Sequence, residues 1–212
     1  AIIIETLTIL TDLMACLVDN NYAAYTITTV KIVNALYFVA FFSRAYMMYH
    51  FATAVMKDTL EKDAAIRVLI RLPMHAGVIL TLISVFFGSW QFTHVIFYAD
   101  GYGYHSGQLY NMVYVCGFYY VLLSFISLFL YRRKLGRRRE KYSMLFYNLI
   151  ILAALILRLA LPDFLVMDTF IFMAILVVFL AFENPEYYLD LKGATFNDLA
   201  FNEHLAEHVS SL

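Results

Sequence analysis

Six stretches of the chain are apolar over about 20 residues each, the length that an α-helix needs to cross the hydrocarbon core of a bilayer. They cover residues 1–18, 26–55, 74–98, 112–131, 143–161 and 164–182. Because the sequence is 63% hydrophobic and only 15% charged, it has too little polar surface to enclose a water-soluble globule of its size. The expected fold class is therefore all-α, a polytopic transmembrane bundle with six helices over residues 1–182.

The chain opens inside an apolar run, with Ala1 as its first residue. No basic segment precedes this run and no small-residue cleavage site follows it, so the pattern does not fit a signal peptide. We therefore expect residues, and a further helix, before Ala1. The intact protein would then have seven helices, with its N-terminus outside the cell.

The positive charges fall in alternate connections between these segments. The second connection carries Lys57, Lys62, Arg67 and Arg71, and the fourth contains the run "RRKLGRRREK", whereas the first, third and fifth contain no Lys or Arg. Basic connections are retained on the cytoplasmic side of a membrane. The pattern predicts a multi-pass protein with a cytoplasmic C-terminus. The net charge of −1 gives no reason to expect nucleic acid as a partner.

Several charged residues lie inside the apolar segments. Glu5, Asp12 and Asp19 are spaced seven apart and so share one face of the first helix. A carboxylate in hydrocarbon is costly unless it is paired or hydrated. By depth, Arg44 should meet Glu5, while Lys31 should meet Asp19 or Asp12.

Two further charged residues, Arg158 and Asp168, are expected in the outer half of the membrane near the "LPDF" turn. Two interpretations of this intramembrane polar network remain open. Its ion pairs could hold neighbouring helices in register, or its polar face could line a ligand site whose rearrangement is a signal.

The longest outer connection contains the aromatic stretch "FYADGYGYHSGQLYNMVY". Aromatic side chains at the headgroup level are common in membrane proteins, which is one interpretation of the stretch. If an extracellular small ligand exists, we expect Tyr102, Tyr104 and His105 to be candidates for contacting it. His94 and His105 are isolated histidines and give only a weak indication of a metal or pH-sensing site.

The C-terminal part of the sequence turns polar after Phe182. Asn184 can cap a helix and Pro185 suits its first turn, which predicts a break and a connector over residues 183–196. A capping box at Thr195 to Asp198 then predicts a cytoplasmic helix over residues 197–212. Its apolar stripe is too small to be buried without a partner or a further domain.

This tail resembles the opening of GGDEF domains, the diguanylate cyclase fold of bacterial signalling proteins. The run "DLKGATFNDLAF" keeps Asp190, Asn197 and Phe201 at the spacing of the family's D-x-L-T-G-L-x-N-R-R-x-F line, although Gly193-Ala194-Thr195 replaces its central T-G-L. The preceding "ENPEYYLD" resembles the connector that joins membrane sensors to such domains. More loosely, residues 1–182 resemble the seven-helix sensor region of histidine kinases and cyclases.

The resemblance implies a bacterial plasma-membrane sensor that passes a stimulus through the sixth helix and the relay residues Asn184, Pro185, Asp190 and Asn197. It also implies a homodimer. GTP and Mg²⁺ would serve only an intact GGDEF domain, whose metal-binding loop does not occur before Leu212. The chain as given is thus not expected to be an enzyme or to hold a cofactor or metal. The parent protein would be a diguanylate cyclase or a degenerate relative of one.

The main alternative is a small transporter or channel in which Glu5, Asp12 and Arg44 line a polar path. Inverted repeats or broken helices would favour transport, and the sequence shows neither. "HLAEH" from His204 to His208 spells a zinc-peptidase pattern but lacks a third ligand. An intramembrane enzyme would need a catalytic set that is not evident.

Overall fold

The computed structural model of the chain describes residues 2–56, 60, 63–87, 95–131, 138–160 and 166–182. The elements in chain order are α1 (Ile2–Asn20), a 3-10 turn (Tyr22–Ala24), α2 (Ile27–Val55), α3 (Ala64–Phe86), β1 (Phe97–Asp100), β2 (Gly103–Ser106), α4 (Met112–Tyr131), α5 (Arg138–Ala160) and α6 (Val166–Phe182). The predicted all-α bundle of six helices is confirmed. Four helices, α2 to α5, are long and apolar enough to cross a membrane. The chain is thus a membrane protein.

The predicted connector over 183–196 and helix over 197–212 lie outside the described residues. The same is true of the predicted relay residues Asn184, Pro185, Asp190 and Asn197, and of His94.

The predicted bounds of the third membrane segment were wrong. The segment was expected over residues 74–98, but α3 runs from Ala64 to Phe86, and residues 97 and 98 belong to β1. Arg67 and Arg71 consequently lie within a helix rather than in a connection. The difference arises because α3 continues through Pro73, a residue that normally bends or breaks a helix, and because a short apolar run such as "VIFY" fits a strand as well as a helix.

Pro73 lies inside α3. It has no N–H to donate to the carbonyl of Leu69, four residues earlier, and such a loss normally bends or breaks a helix. Two neighbouring side chains of α4 donate at this point. The hydroxyl of Tyr119 donates to the Leu69 carbonyl at 3.1 Å, and that of Tyr120 donates to the Ile70 carbonyl at 2.8 Å. The adjacent tyrosines of α4 thereby allow α3 to continue through its proline.

The helix α2 is the centre of the bundle and packs against α1, α3 and α4. Its start is fixed by Thr26, whose side chain accepts a hydrogen bond from the backbone N–H of Thr29 at 3.2 Å. With 29 residues it is about 43 Å long, which exceeds the hydrocarbon thickness of about 30 Å. Its N-terminal part projects past the start of α6, since Arg44 in the middle of α2 contacts Asp168 in the first turn of α6. We call the end of the bundle that carries the hairpin the hairpin end.

Two glycines let neighbouring helices approach closely. A Cβ on Gly77 of α3 would collide with the ring of Phe42 on α2, and a Cβ on Gly117 of α4 would lie 2.8 Å from Leu155 Cδ2 on α5. Small residues at such positions bring helix backbones together in lipid, where van der Waals packing replaces the hydrophobic effect as the source of stability.

The connection between α3 and α4 contains an antiparallel hairpin that the sequence did not predict. Phe97 pairs with Ser106 and Ala99 with Tyr104 on its inner face, while Tyr98 pairs with His105 on its outer face. Gly103 has a φ of 119°, which L-residues with side chains rarely adopt. The ring of Phe97 stacks on Phe38 of α2 at 5.4 Å. The hairpin therefore lies against the projecting part of α2.

Candidate functional site

The side chain of Arg44 joins three helices in the interior of the bundle. Its Nη1 lies 3.4 Å from Glu5 Oε1 on α1 and also contacts Asp168 Oδ1 on α6. Its Nη2 contacts the sulfur of Met167 at 3.5 Å, and its Cζ lies 4.9 Å from the centre of the Phe41 ring. We call Glu5, Arg44 and Asp168 the charged triad.

All three members of the charged triad are buried, with relative exposures of 2% for Glu5, 2% for Arg44 and 9% for Asp168. Glu5 Oε2 is also buried and has no hydrogen-bond partner. Removing either partner of the buried ion pair between Arg44 and Asp168 costs about 3–5 kcal/mol, because the remaining charge is left uncompensated. The triad is therefore a strong constraint on how α1, α2 and α6 can be arranged.

The predicted pairing of Arg44 with Glu5 is confirmed. The contact between Arg44 and Asp168 was not predicted, because Asp168 was placed near the outer end of the bundle with Arg158. The difference follows from the lengths of the helices. Arg44 lies in the middle of α2, and α2 extends well past the start of α6, so Asp168 in the first turn of α6 comes level with it.

The predicted contact of Lys31 with Asp19 or Asp12 is not present, since no ion pair within 4 Å joins these described residues. Instead, Asn34 Nδ2 donates to Asp19 Oδ1 at 2.9 Å and to the Val30 carbonyl at 3.1 Å. Asn34 is buried on the side of α2 that meets α1, whereas Lys31 is only half-buried. Because Lys31 is on the second turn of α2, its long side chain can reach water at the hairpin end.

Asp12 and Arg158 form the outer continuation of the charged triad. Asp12 is buried on α1, two turns from Glu5, and its electrostatic neighbours are Arg158, Asp168 and Arg44. Arg158, in the last turn of α5, has Tyr37, Asp12 and Tyr110 among its electrostatic neighbours. Five charged side chains from four helices thus form one connected network.

The three outer-loop candidates for ligand contact lie in different environments on the hairpin. Tyr102 is at the tip and is 83% exposed. His105 lies on the outer face, stacked on Tyr98 at 5.0 Å. Tyr104 points inward instead and packs on Phe38 at 6.4 Å, and its burial raises the pKa of its hydroxyl. Tyr104 is therefore part of the packing, while Tyr102 and His105 remain open to a ligand.

The structure also contains a small cavity between α2, α4, α5 and α6, next to the charged triad. It has a volume of about 30 Å³ and is lined in part by Arg44, Ser124, Tyr147 and Asn148. The Ser124 hydroxyl donates to Asn148 Oδ1 at 2.6 Å, while the buried Asn148 Nδ2 has no partner. Such a volume accommodates about one or two water molecules.

Sequence analysis did not identify Ser124 or Asn148 as site residues. Each is an isolated polar residue in an apolar helix, and such residues usually face the interior of a membrane bundle. This signal could have identified them.

No family model matches the sequence, and no curated protein and no solved structure match it either. Its function must therefore be inferred from the charged network and from the resemblance of the tail.

Proposed function

We propose that the chain is the membrane-embedded sensory and anchoring module of a bacterial signal-transduction protein with a diguanylate cyclase-like GGDEF output domain. A stimulus at the bundle changes the position of α6, and α6 passes the change through Asn184 and Pro185 to the cytoplasmic output. The observation that carries this proposal is the contact of Asp168 on α6 with Arg44 on the central helix α2.

The way α6 is attached supports a role in relaying movement. It packs extensively against α5 and to a smaller extent against α1. The buried ion pair between Asp168 and Arg44 links it directly to the centre of the bundle. A packed interface that includes an exchangeable ion pair can have two discrete arrangements, which is what a signalling helix requires.

The proposed membrane location and oligomeric state rest on the sequence and on the family resemblance, not on contacts within the bundle. The alternation of basic connections favours a plasma-membrane protein with its C-terminus in the cytoplasm. Homodimer formation is proposed by analogy with the family that the tail resembles. The open face of the hairpin, with Tyr102 and His105, is where we propose that an external small ligand would bind.

The proposal can be tested by joining residues 1–196 to an active GGDEF domain in place of residues 197–212 and measuring cyclic di-GMP. We expect Asp168→Asn to change cyclic di-GMP formation severalfold at an unchanged protein level, since it weakens the hold of Arg44 on α6. Asp168→Glu should retain part of the wild-type regulation. Lys31→Gln, at the hairpin end and outside the triad, is the matched control.

Exchanging Glu5 and Arg44 is a poor test of the proposal. Arg44→Glu would place a carboxylate beside Asp168, so the exchange cannot restore the triad. If the Asp168 variants gave wild-type cyclic di-GMP, and vesicles containing the chain showed solute or ion flux, the transporter alternative would be preferred.

A further inference from the structure

Two carboxylates in the interior of the bundle share a single guanidinium nitrogen. Glu5 Oε1 and Asp168 Oδ1 both contact Nη1 of Arg44. We propose that the charged triad is a proton-binding site in which Glu5 and Asp168 hold one proton between them, with Glu5 as the protonated group. We further suggest that this proton is the stimulus that moves α6. That suggestion rests on the function proposed above, whereas the proton-binding site does not depend on that function.

The balance of charge around Glu5 requires such a proton. Among the described residues, the charged groups that act on Glu5 are Arg44 on α2 and Asp168 on α6, with the hydroxyl of Tyr147 on α5 also close to it, while Asp12 and Arg158 belong to the outer part of the network. Tyr147 is neutral and donates to the Met48 carbonyl at 2.9 Å. The carboxylates of this network therefore outnumber the guanidinium groups by one. An uncompensated charge in the interior costs several kcal/mol, and uptake of one proton removes it.

The hydrogen bonding identifies the group that takes the proton. Asp168 makes the closer contact with Arg44, while the contact of Glu5 Oε1 is long, at 3.4 Å. Glu5 Oε2 is buried and accepts no hydrogen bond. An ionised carboxylate with an unpartnered oxygen in this position is far more costly than a neutral carboxylic acid. When two carboxyl groups compete for one cation, the less well bonded group keeps the proton.

The cavity beside Arg44 provides a place for the water that proton exchange needs. It adjoins the triad through Arg44, and the unpartnered Asn148 Nδ2 on its wall requires an acceptor such as a water oxygen. A water molecule bonded to Asn148 would therefore occupy the cavity that Arg44 also lines.

The proton couples the site to α6. When Glu5 is neutral, Arg44 is available to Asp168, and α6 is held against α2. When Glu5 loses the proton, it becomes a second full anion that competes for Arg44, and the attachment of α6 weakens. Release of the proton at higher pH is thus expected to free α6.

Infrared spectroscopy of the full chain in lipid nanodiscs tests the site directly, through the C=O stretch of a protonated carboxylic acid. We expect one buried acid band per chain that is present before the site is deprotonated and disappears as the pH is raised. Glu5→Gln should lose the band. The matched control Asp19→Asn should keep it, because Asp19 bonds to Asn34 outside the triad.

Absence of the band in the wild-type chain, or its persistence in Glu5→Gln, would overturn the proposal. A band lost only in Asp168→Asn would overturn the assignment of the proton to Glu5.

Thermal unfolding is an independent measurement. Glu5→Gln replaces a neutral acid by a neutral amide and should keep the wild-type melting temperature at neutral pH, whereas a loss as large as that of Asp168→Asn would show that Glu5 is ionised and would contradict the proposal.

These results separate the proton site from the proposed function, since neither measurement uses an output domain. If the chain holds the proton but its cyclic di-GMP output does not change with pH, the proton is not the stimulus. The proton-binding site would still stand.

Discussion

At the scale of single residues, Asp100 organises the tip of the hairpin. Its Oδ1 accepts a hydrogen bond from the backbone N–H of Tyr102 at 2.8 Å and lies 3.1 Å from His105 Nε2. The bond from Tyr102, followed by the contact with His105, favours the ionised carboxylate and lowers the pKa of Asp100 below its ordinary value. The position of Tyr102, a candidate for ligand contact, therefore depends on the ionisation of Asp100.

We predict that acid loosens the tip of the hairpin. Because the pKa of Asp100 is lower in the folded hairpin than in the unfolded chain, its stabilising effect is complete above the ordinary aspartate pKa of about 3.9 and is lost as the pH falls through its lowered value. The amide resonance of Tyr102 should shift over this acidic range. The shift should be absent in Asp100→Asn and unchanged in Asp63→Asn, whose side chain makes no capping bond. A resonance that titrates equally in wild-type chain and Asp100→Asn would contradict the prediction.

The charged residues show what a sequence can and cannot predict about contacts. Glu5 and Arg44 could be matched because the helical rise per residue places Glu5, in the first turn of α1, at about the depth of Arg44 on the antiparallel α2. The contacts of Asp168 and Lys31 could not be predicted, since the depths of these residues relative to the other helices depend on how far α2 extends beyond its neighbours. The choice of Asn34 over Lys31 as the partner of Asp19 depends on which face of α2 meets α1, and the uniformly apolar α2 does not reveal that face.

At the scale of elements, α3 depends on hydrogen bonds from outside the helix. The Leu69 carbonyl lacks a backbone donor because residue 73 is proline, and Tyr119 supplies one. In lipid, where water is not available as a substitute, an unsatisfied carbonyl is more costly than in a soluble protein. The sequence does not reveal that α3 continues through Pro73, because the compensating tyrosines come from a helix about 50 residues later, a pairing that no local pattern contains.

A double-mutant cycle between Pro73 and Tyr119 should detect this compensation. We expect Tyr119→Phe to cost about 1 kcal/mol of unfolding free energy in the wild-type chain, the usual net value of a hydrogen bond. In the Pro73→Ala background the cost should fall close to zero, because the N–H of the new residue then reaches the Leu69 carbonyl. Unfolding in detergent measures both values, and the exposed Tyr142 provides a control, with Tyr142→Phe expected to be neutral. Equal losses in the two backgrounds would show that Tyr119 does not replace the missing donor.

At the scale of the whole molecule, the arrangement of helices agrees with the distribution of charge. The hairpin and the end of α1 lie at one end of the bundle, and the basic connections follow α2 and α4 at the other. The number of helices could be predicted because each is an apolar run of about membrane length. The hairpin could not, since "FYAD" and "GYHS" are too short for their periodicity to separate a strand from an irregular loop.

Cysteine labelling in intact cells can determine the orientation. We expect Tyr102→Cys, at the hairpin tip, to react with a membrane-impermeant maleimide added from outside. Tyr142→Cys, exposed near the basic end of α5, should react only after the cells are permeabilised. The native Cys16 and Cys116 are replaced by serine in both variants, which are compared with the parent lacking cysteine. The opposite pattern would place the C-terminus outside the cell and refute the proposed output.

The close approach of α3 to α2 at Gly77 restricts which parts of the bundle can turn. The ring of Phe42 occupies the space where any larger residue at position 77 would place its side chain. Neither helix can therefore rotate about its own long axis without withdrawing that ring, and the two must move as one rigid unit. Any torsion imposed on the bundle is accordingly left to the other helices, and α6, which packs chiefly against α5, is not part of this unit.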